Sequence, residues 1–211
     1  MSSITTDIAA QPRPHPQRYL QMGLVSRQLA VRNMLWGYES EALSLDELVE
    51  LVRGFHGPEA QALFVQTVTD GLTPPESDRV ASFASLCIRF GRWDALGRMV
   101  EAAADGAVAS GGNALTPSGW LDLLATRNTN DGKRITFTLF DMAAQQGLSQ
   151  ARATLEFALK YQPEHPDIDT HLDKGGPAAA VLTQVLMQRR LAFAAEAAAA
   201  LPAAPRRRAS L

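Results

Sequence analysis

The chain has 211 residues, 46% hydrophobic and 20% charged, and at roughly 100–200 residues per domain that is one compact domain or two small ones. Twenty Lys and Arg stand against 22 Asp and Glu, and this near balance gives no global basic field of the kind that draws in nucleic acid. Aromatics at 7% are too few for a base-stacking platform, so a nucleic-acid partner is not expected.

Residues 1–16 combine polar Ser2, Ser3, Thr5, Thr6 and Gln11 with Pro12, Pro14 and Pro16, a composition that predicts a disordered leader. The leader lacks the basic start followed by 7–15 apolar residues of a secretory signal. Its Ser/Thr-rich, Ile-punctuated pattern resembles the export signals of type III secretion substrates of Gram-negative bacteria. That resemblance implies a cytoplasmic protein that leaves by a route without a Sec signal peptide.

From Gln17 to Leu201 the pattern is one helix after another. Met22, Val25, Leu29 and Trp36 fall on one stripe of a first helix. Ser44-Leu-Asp-Glu47 is a capping box that opens a second, with Leu48, Leu51, Val52 and Phe55 on one face and His56 at its end. Pro58-Glu59 starts a third, and Thr73-Pro-Pro-Glu76 a fourth whose buried face is Val80, Phe83, Cys87 and Ile88. Cys87 is the only cysteine, which excludes an intramolecular disulfide, and its apolar run marks it as a core residue. Gly91 makes a tight turn to a short helix with Trp93, Leu96, Met99 and Val100, and residues 105–115 are the expected internal boundary or loop.

Thr116-Pro117 opens the next helix, carrying Trp120, Leu121 and Leu124. Arg134 to Leu139 comes nearest to strand alternation, but its context favours a helix with Ile135, Phe137, Phe140 and Met142 that ends at Gly147. Ser149 is the expected cap of a helix with Leu155 and Leu159, and 162–176 reads as a loop rich in Pro, Asp, His and Gly. A last long helix occupies 177–201. Its Gln184, Gln188, Arg189, Arg190 and Glu196 rule it out as a membrane span. Residues 202–211, with Arg206-Arg-Arg208, form a basic tail expected to be disordered. The expected architecture is all-α, about eight or nine helices in an irregular bundle or a short stack of α-hairpins, as a single domain over 17–201.

Phe140-Asp-Met-Ala-Ala-Gln-Gln-Gly-Leu-Ser-Gln-Ala-Arg-Ala-Thr-Leu155 resembles the Sel1 type of tetratricopeptide-like repeat through Ala143-Ala144, Gly147, Ala151 and Leu155. Phe90-Gly-Arg-Trp-Asp-Ala-Leu96 is similar to the turn of a tetratricopeptide repeat. The Gly and Tyr that a Sel1 repeat carries just after Leu155 are replaced by Glu156-Phe157, and no second copy follows at a fixed spacing. The resemblance implies a scaffold for peptides or partner proteins, with Gly147 in a left-handed turn between close-packed helices, and it carries no catalytic residues.

His165, Asp167, Asp169, His171 and Asp173 recur at every second position, and an extended backbone would put all five on one side as ligands for a divalent ion. Neither HExxH nor an EF-hand loop accompanies them, and no GxSxG, Walker or dinucleotide motif occurs, so no cofactor is expected. Trp36, Trp93 and Trp120 are the aromatic anchors available for partner binding, though helix packing is the ordinary role for such residues. The reading is a bacterial protein–protein interaction module, an effector or associated factor of a type III secretion system, with a secretion chaperone or host protein as partner. The smooth, Ala-rich last helix could also seal a homodimer. The alternatives are a helical enzyme with a metal site at 165–173, and a helical transcriptional regulator using Arg27 and Arg32 or the Gly91 hairpin against DNA.

Overall fold

The computed structural model describes residues 21–37, 43–53, 82–109, 115–128 and 134–200. The expected helices starting at Pro58 and Thr73, the leader, the tail, His56 and residues 110–114 of the expected boundary lie outside these residues, except that Ser82 onward is described. Nine helices occur among the described residues: α1 (Leu24–Trp36), α2 (Leu45–Arg53), α3 (Phe83–Arg89), α4 (Trp93–Ala109), α5 (Pro117–Ala125), α6 (Leu139–Ala144), α7 (Leu148–Tyr161), α8 (Asp167–Lys174) and α9 (Pro177–Ala200). The fold class is the all-α one expected, with a single minimal ladder of β1 (Thr126–Asn128) against β2 (Arg134–Thr136). The two strands are antiparallel, with Arg127 opposite Ile135. Contacts group into two compact units, Met1–Thr138 and Leu139–Leu211.

In the first unit, α2 packs along α4, and α3, α4 and α5 pack on one another. The capping box at the start of α2 forms as its sequence requires: the Glu47 amide donates to Ser44 Oγ at 3.2 Å and the Ser44 amide to Glu47 Oε2 at 2.7 Å. Leu48, Val49 and Val52 of α2 and Leu96, Met99, Val100 and Ala103 of α4 are buried in the core that these two helices share. Ser82 caps α3 by accepting from the Ser85 amide, and Thr116 caps α5 by accepting from the Gly119 amide. Gly91, at φ +64°, turns the chain from α3 into α4, a left-handed conformation that glycine adopts without penalty. Cys87 is fully buried, as its apolar run predicts, and burial pushes its thiol pKa well above the ordinary value.

Arg92 follows that turn and ties α1 down. Its Nη1 donates to the carbonyl of Met34 at 3.0 Å, while Nε and Nη2 hold the two carboxylate oxygens of Asp94 at 3.0 Å each. The Gly37 amide also donates to the Met34 carbonyl, at 3.1 Å, so the guanidinium adds a second donor to a carbonyl in the last turn of α1 and ties that end to the α3–α4 turn. The pairing raises the Arg92 pKa and lowers that of Asp94.

Several expectations are corrected. In α1 the buried residues are Ala30, Val31, Met34 and Leu35, whereas Leu29 and Trp36 from the expected stripe are exposed. The helix is apolar on more than one side, so periodicity does not single out a face. α4 continues to Ala109, through 105–109 where a loop was expected. Arg134–Thr136 is a strand, and α6 starts only at Leu139. Residues 162–176 are not all loop, because α8 occupies Asp167–Lys174. The cap of α7 is Gly147, not Ser149, and Gly147 has φ −67° and no left-handed geometry.

In the second unit, α6 and α7 form a hairpin, and α9 lies along α7 with α8 beside it. Ala143, Ala151 and Ala158 are buried and let the hairpin close tightly, while Ala144 faces out. Arg152 of α7 donates to Gln188 Oε1 at 3.1 Å and to Gln184 Oε1 at 3.0 Å, clamping α9 to α7.

Candidate functional site

Two features of the second unit carry chemistry or an exposed surface. The first is built by α8. Asp167 and Asp169 occupy its first turn and His171 and Lys174 its last, which matches acid and base to the helix dipole. His165 precedes the helix, and its Nδ1 accepts from the Asp167 amide at 3.1 Å, satisfying one of the amides that the first turn leaves unpaired. The His165 ring also stacks on Phe140 of α6, with centroids 5.5 Å apart.

Because 165–173 is mostly helix, the expected five ligands do not share a side. At 100° per residue Asp167 and His171 are neighbours on one face, whereas Asp169 and Asp173 turn away and are exposed. The face of Asp167 and His171 meets α6, whose Asp141 completes the group. Ligand atoms of Asp141, Asp167 and His171 all lie within 4.8 Å of one another. His171 is 9% exposed, and its Nε2 is 3.3 Å from Asp141 Oδ1. Two ligands about 2.1 Å from a common ion, at tetrahedral or octahedral angles, stand about 3.0–3.4 Å apart, so the Asp141–His171 separation fits two donors on one ion, with a third donor, a carboxylate oxygen of Asp167, within 4.8 Å of both. Such a set suits Zn²⁺ or Mn²⁺. Asp141 has no sequence signal of its own; only the packing of α6 on α8 brings it there.

The second feature is the C-terminal half of α9. Ala179, Val181, Leu182 and Val185 are buried against the unit, but every residue from Met187 to Ala200 is exposed. Phe193 is 74% exposed and Leu191 64%. An open groove of about 510 Å³ runs beneath this half, with Leu159 and Pro163 at its root and Leu186 and Phe193 along its wall. A helix of 24 residues is about 36 Å long, and the Ala-rich half has the helix propensity to persist beyond its support.

The tryptophans separate. Trp120 is 2% exposed and belongs to the core of the first unit. Trp93 is half-buried at the start of α4, and Trp36 is 54% exposed with its ring edge-on to Phe90 at 5.3 Å. No helix of the described residues is long and apolar enough to cross a membrane. Comparison with known proteins finds no matching family model, no matching curated protein and no matching solved structure.

Proposed function

We propose that this chain is a protein–protein interaction module whose docking face is the exposed half of α9. The observation that supports this reading is the exposed Phe193 on the side of α9 that continues its buried stripe, on a half-helix projecting past the hairpin that holds its first half, with Met187 and Leu191 exposed on another side. Full burial of a residue such as Phe193 contributes about 1.5–3 kcal/mol, so a partner that covers this face gains most from that one side chain. A role beside a type III secretion system, as exported effector or associated factor, rests only on the composition of residues 1–16 and on the Ala-rich, Arg-over-Lys composition of the chain. The experiment is a photo-crosslinking residue placed at position 193 of the full chain, with a control at exposed Lys160 of α7. Specific adducts at 193 and none at 160 are expected; equal labelling, or none at either, removes the reading.

A second reading, supported by the Asp141–Asp167–His171 geometry, is that this group binds a divalent ion. Titration of the full chain with Zn²⁺ should give one site that Asp141→Asn and His171→Ala each abolish, while Asp169→Asn and Asp173→Asn leave it intact. Binding lost equally in all four variants would return the ligands to an extended loop.

A further inference from the structure

We infer that the partner of the α9 face is a second copy of this chain, its own α9 laid antiparallel on the first about a two-fold axis beside Phe193. This names a partner for the docking face proposed above and rests on that reading.

The buried stripe of α9 does not stop where the packing stops. Leu182 and Val185 are followed at helical spacing by Arg189, Phe193, Glu196 and Ala200, so the projecting half presents the same side as the packed half. That side has one large apolar residue, Phe193, with a base one turn before it and an acid one turn after. On α9 itself no acid lies three or four residues from Arg189 or Arg190, and no base lies three or four from Glu196. These charges therefore have no complement within their own helix.

An antiparallel copy supplies it. Placing Arg189 of one chain opposite Glu196 of the other puts the axis midway between those positions, between Ala192 and Phe193. The same register sets each Phe193 over the partner's small Ala192, which lets the helices approach closely. The chain's own 202–211 segment is a poorer occupant. It carries Arg206, Arg207 and Arg208 and no acid, and the groove already holds Arg189 and Arg190 against Glu196 alone. One helix pair of this length is at the small end of interface sizes, below the roughly 1,200 Å² of stable complexes, so the dimer is a weak one.

The test is sedimentation equilibrium of the full chain up to high micromolar concentration, with far-UV circular dichroism confirming that each variant is folded. The parent chain should show monomer and dimer in exchange. Glu196→Arg alone and Arg189→Glu with Arg190→Glu should each weaken self-association about tenfold or more, the result of turning two attractive contacts repulsive. Mixing the two variants in equal amounts should restore association, because both contact pairs are then again of opposite sign. A parent that dimerises while the mixture stays monomeric overturns the register. A monomeric parent overturns self-pairing; if crosslinks from position 193 to other proteins persist, the docking reading stands without it, and if they are absent both fall.

Discussion

Gly106 sits where α4 passes the last carbonyl of α2, and replacing it by alanine puts the packing of these two helices to a quantitative test. A Cβ at this position overlaps the carbonyl oxygen of Arg53 and lies 3.2 Å from its carbonyl carbon and 3.3 Å from its Cα. All three atoms are backbone, so no rotamer change relieves the overlap and the helices must separate. Alanine gains about 1 kcal/mol over glycine in a helix interior, while forcing an extra carbon into a packed contact costs about 1–3 kcal/mol, here near the top of the range because the obstacle is rigid. The expected net result is a loss of about 1–2 kcal/mol. Gly119→Ala in α5 is the matched standard, because its new Cβ meets the Leu115 side chain first, at 3.3 Å, and that side chain can rotate away. It should be neutral or stabilising by up to about 1 kcal/mol. The two variants should therefore differ by about 2–3 kcal/mol in urea unfolding followed by circular dichroism, compared through their midpoints. A Gly106→Ala chain as stable as the parent would show that the close crossing of α2 and α4 is wrong.

Replacing Ser44 by alanine removes one half of the α2 capping box and should cost about 1 kcal/mol in the same assay. Arg92→Lys keeps the charge but loses the fork that spans Met34 and Asp94, so a loss of about 1–2 kcal/mol is expected, and it should differ little from Arg92→Met. Asp94 has a lowered pKa through its hydrogen bonds to Arg92, so its contribution is complete above the ordinary carboxylate value of 3.8 and is lost as pH falls through the lowered value. Asp94→Asn should flatten that part of the acid-unfolding curve and leave the pH dependence above the ordinary carboxylate value unchanged. Cys87, fully buried with its thiol pushed up, should react with a thiol reagent only at the rate at which the first unit opens, and at once in denaturant.

Where local chemistry decides a structure, the residues declare it. Ser44 with Glu47, Thr116 before Pro117, and Gly91 between two apolar runs each specify a cap or a turn through contacts within a few residues, and each forms as expected. The α8 segment carried a signal of the same local kind, with acids in its first turn and bases in its last, but its Pro, Asp and His content outweighed it. Strands of three residues are too short for alternation to show, so β1 and β2 emerge only from their pairing. Which face of α1 is buried, and that Asp141 meets His171, depend on residues distant in the chain. Composition cannot supply these; packing does.

The link from Arg92 to Met34 joins positions 58 apart in the chain, and α1 has only 13 residues with no side chain capping its start. A helix of that length is marginal on its own, so α1 depends on a contact whose loop must close after the α3–α4 turn exists. In native-state hydrogen exchange the amides of α1 should therefore open together and at lower free energy than those of α4. Trp36, edge-on to Phe90, places an indole at this seam, where its emission can follow the same event in time: α1 is the piece that arrives last and leaves first.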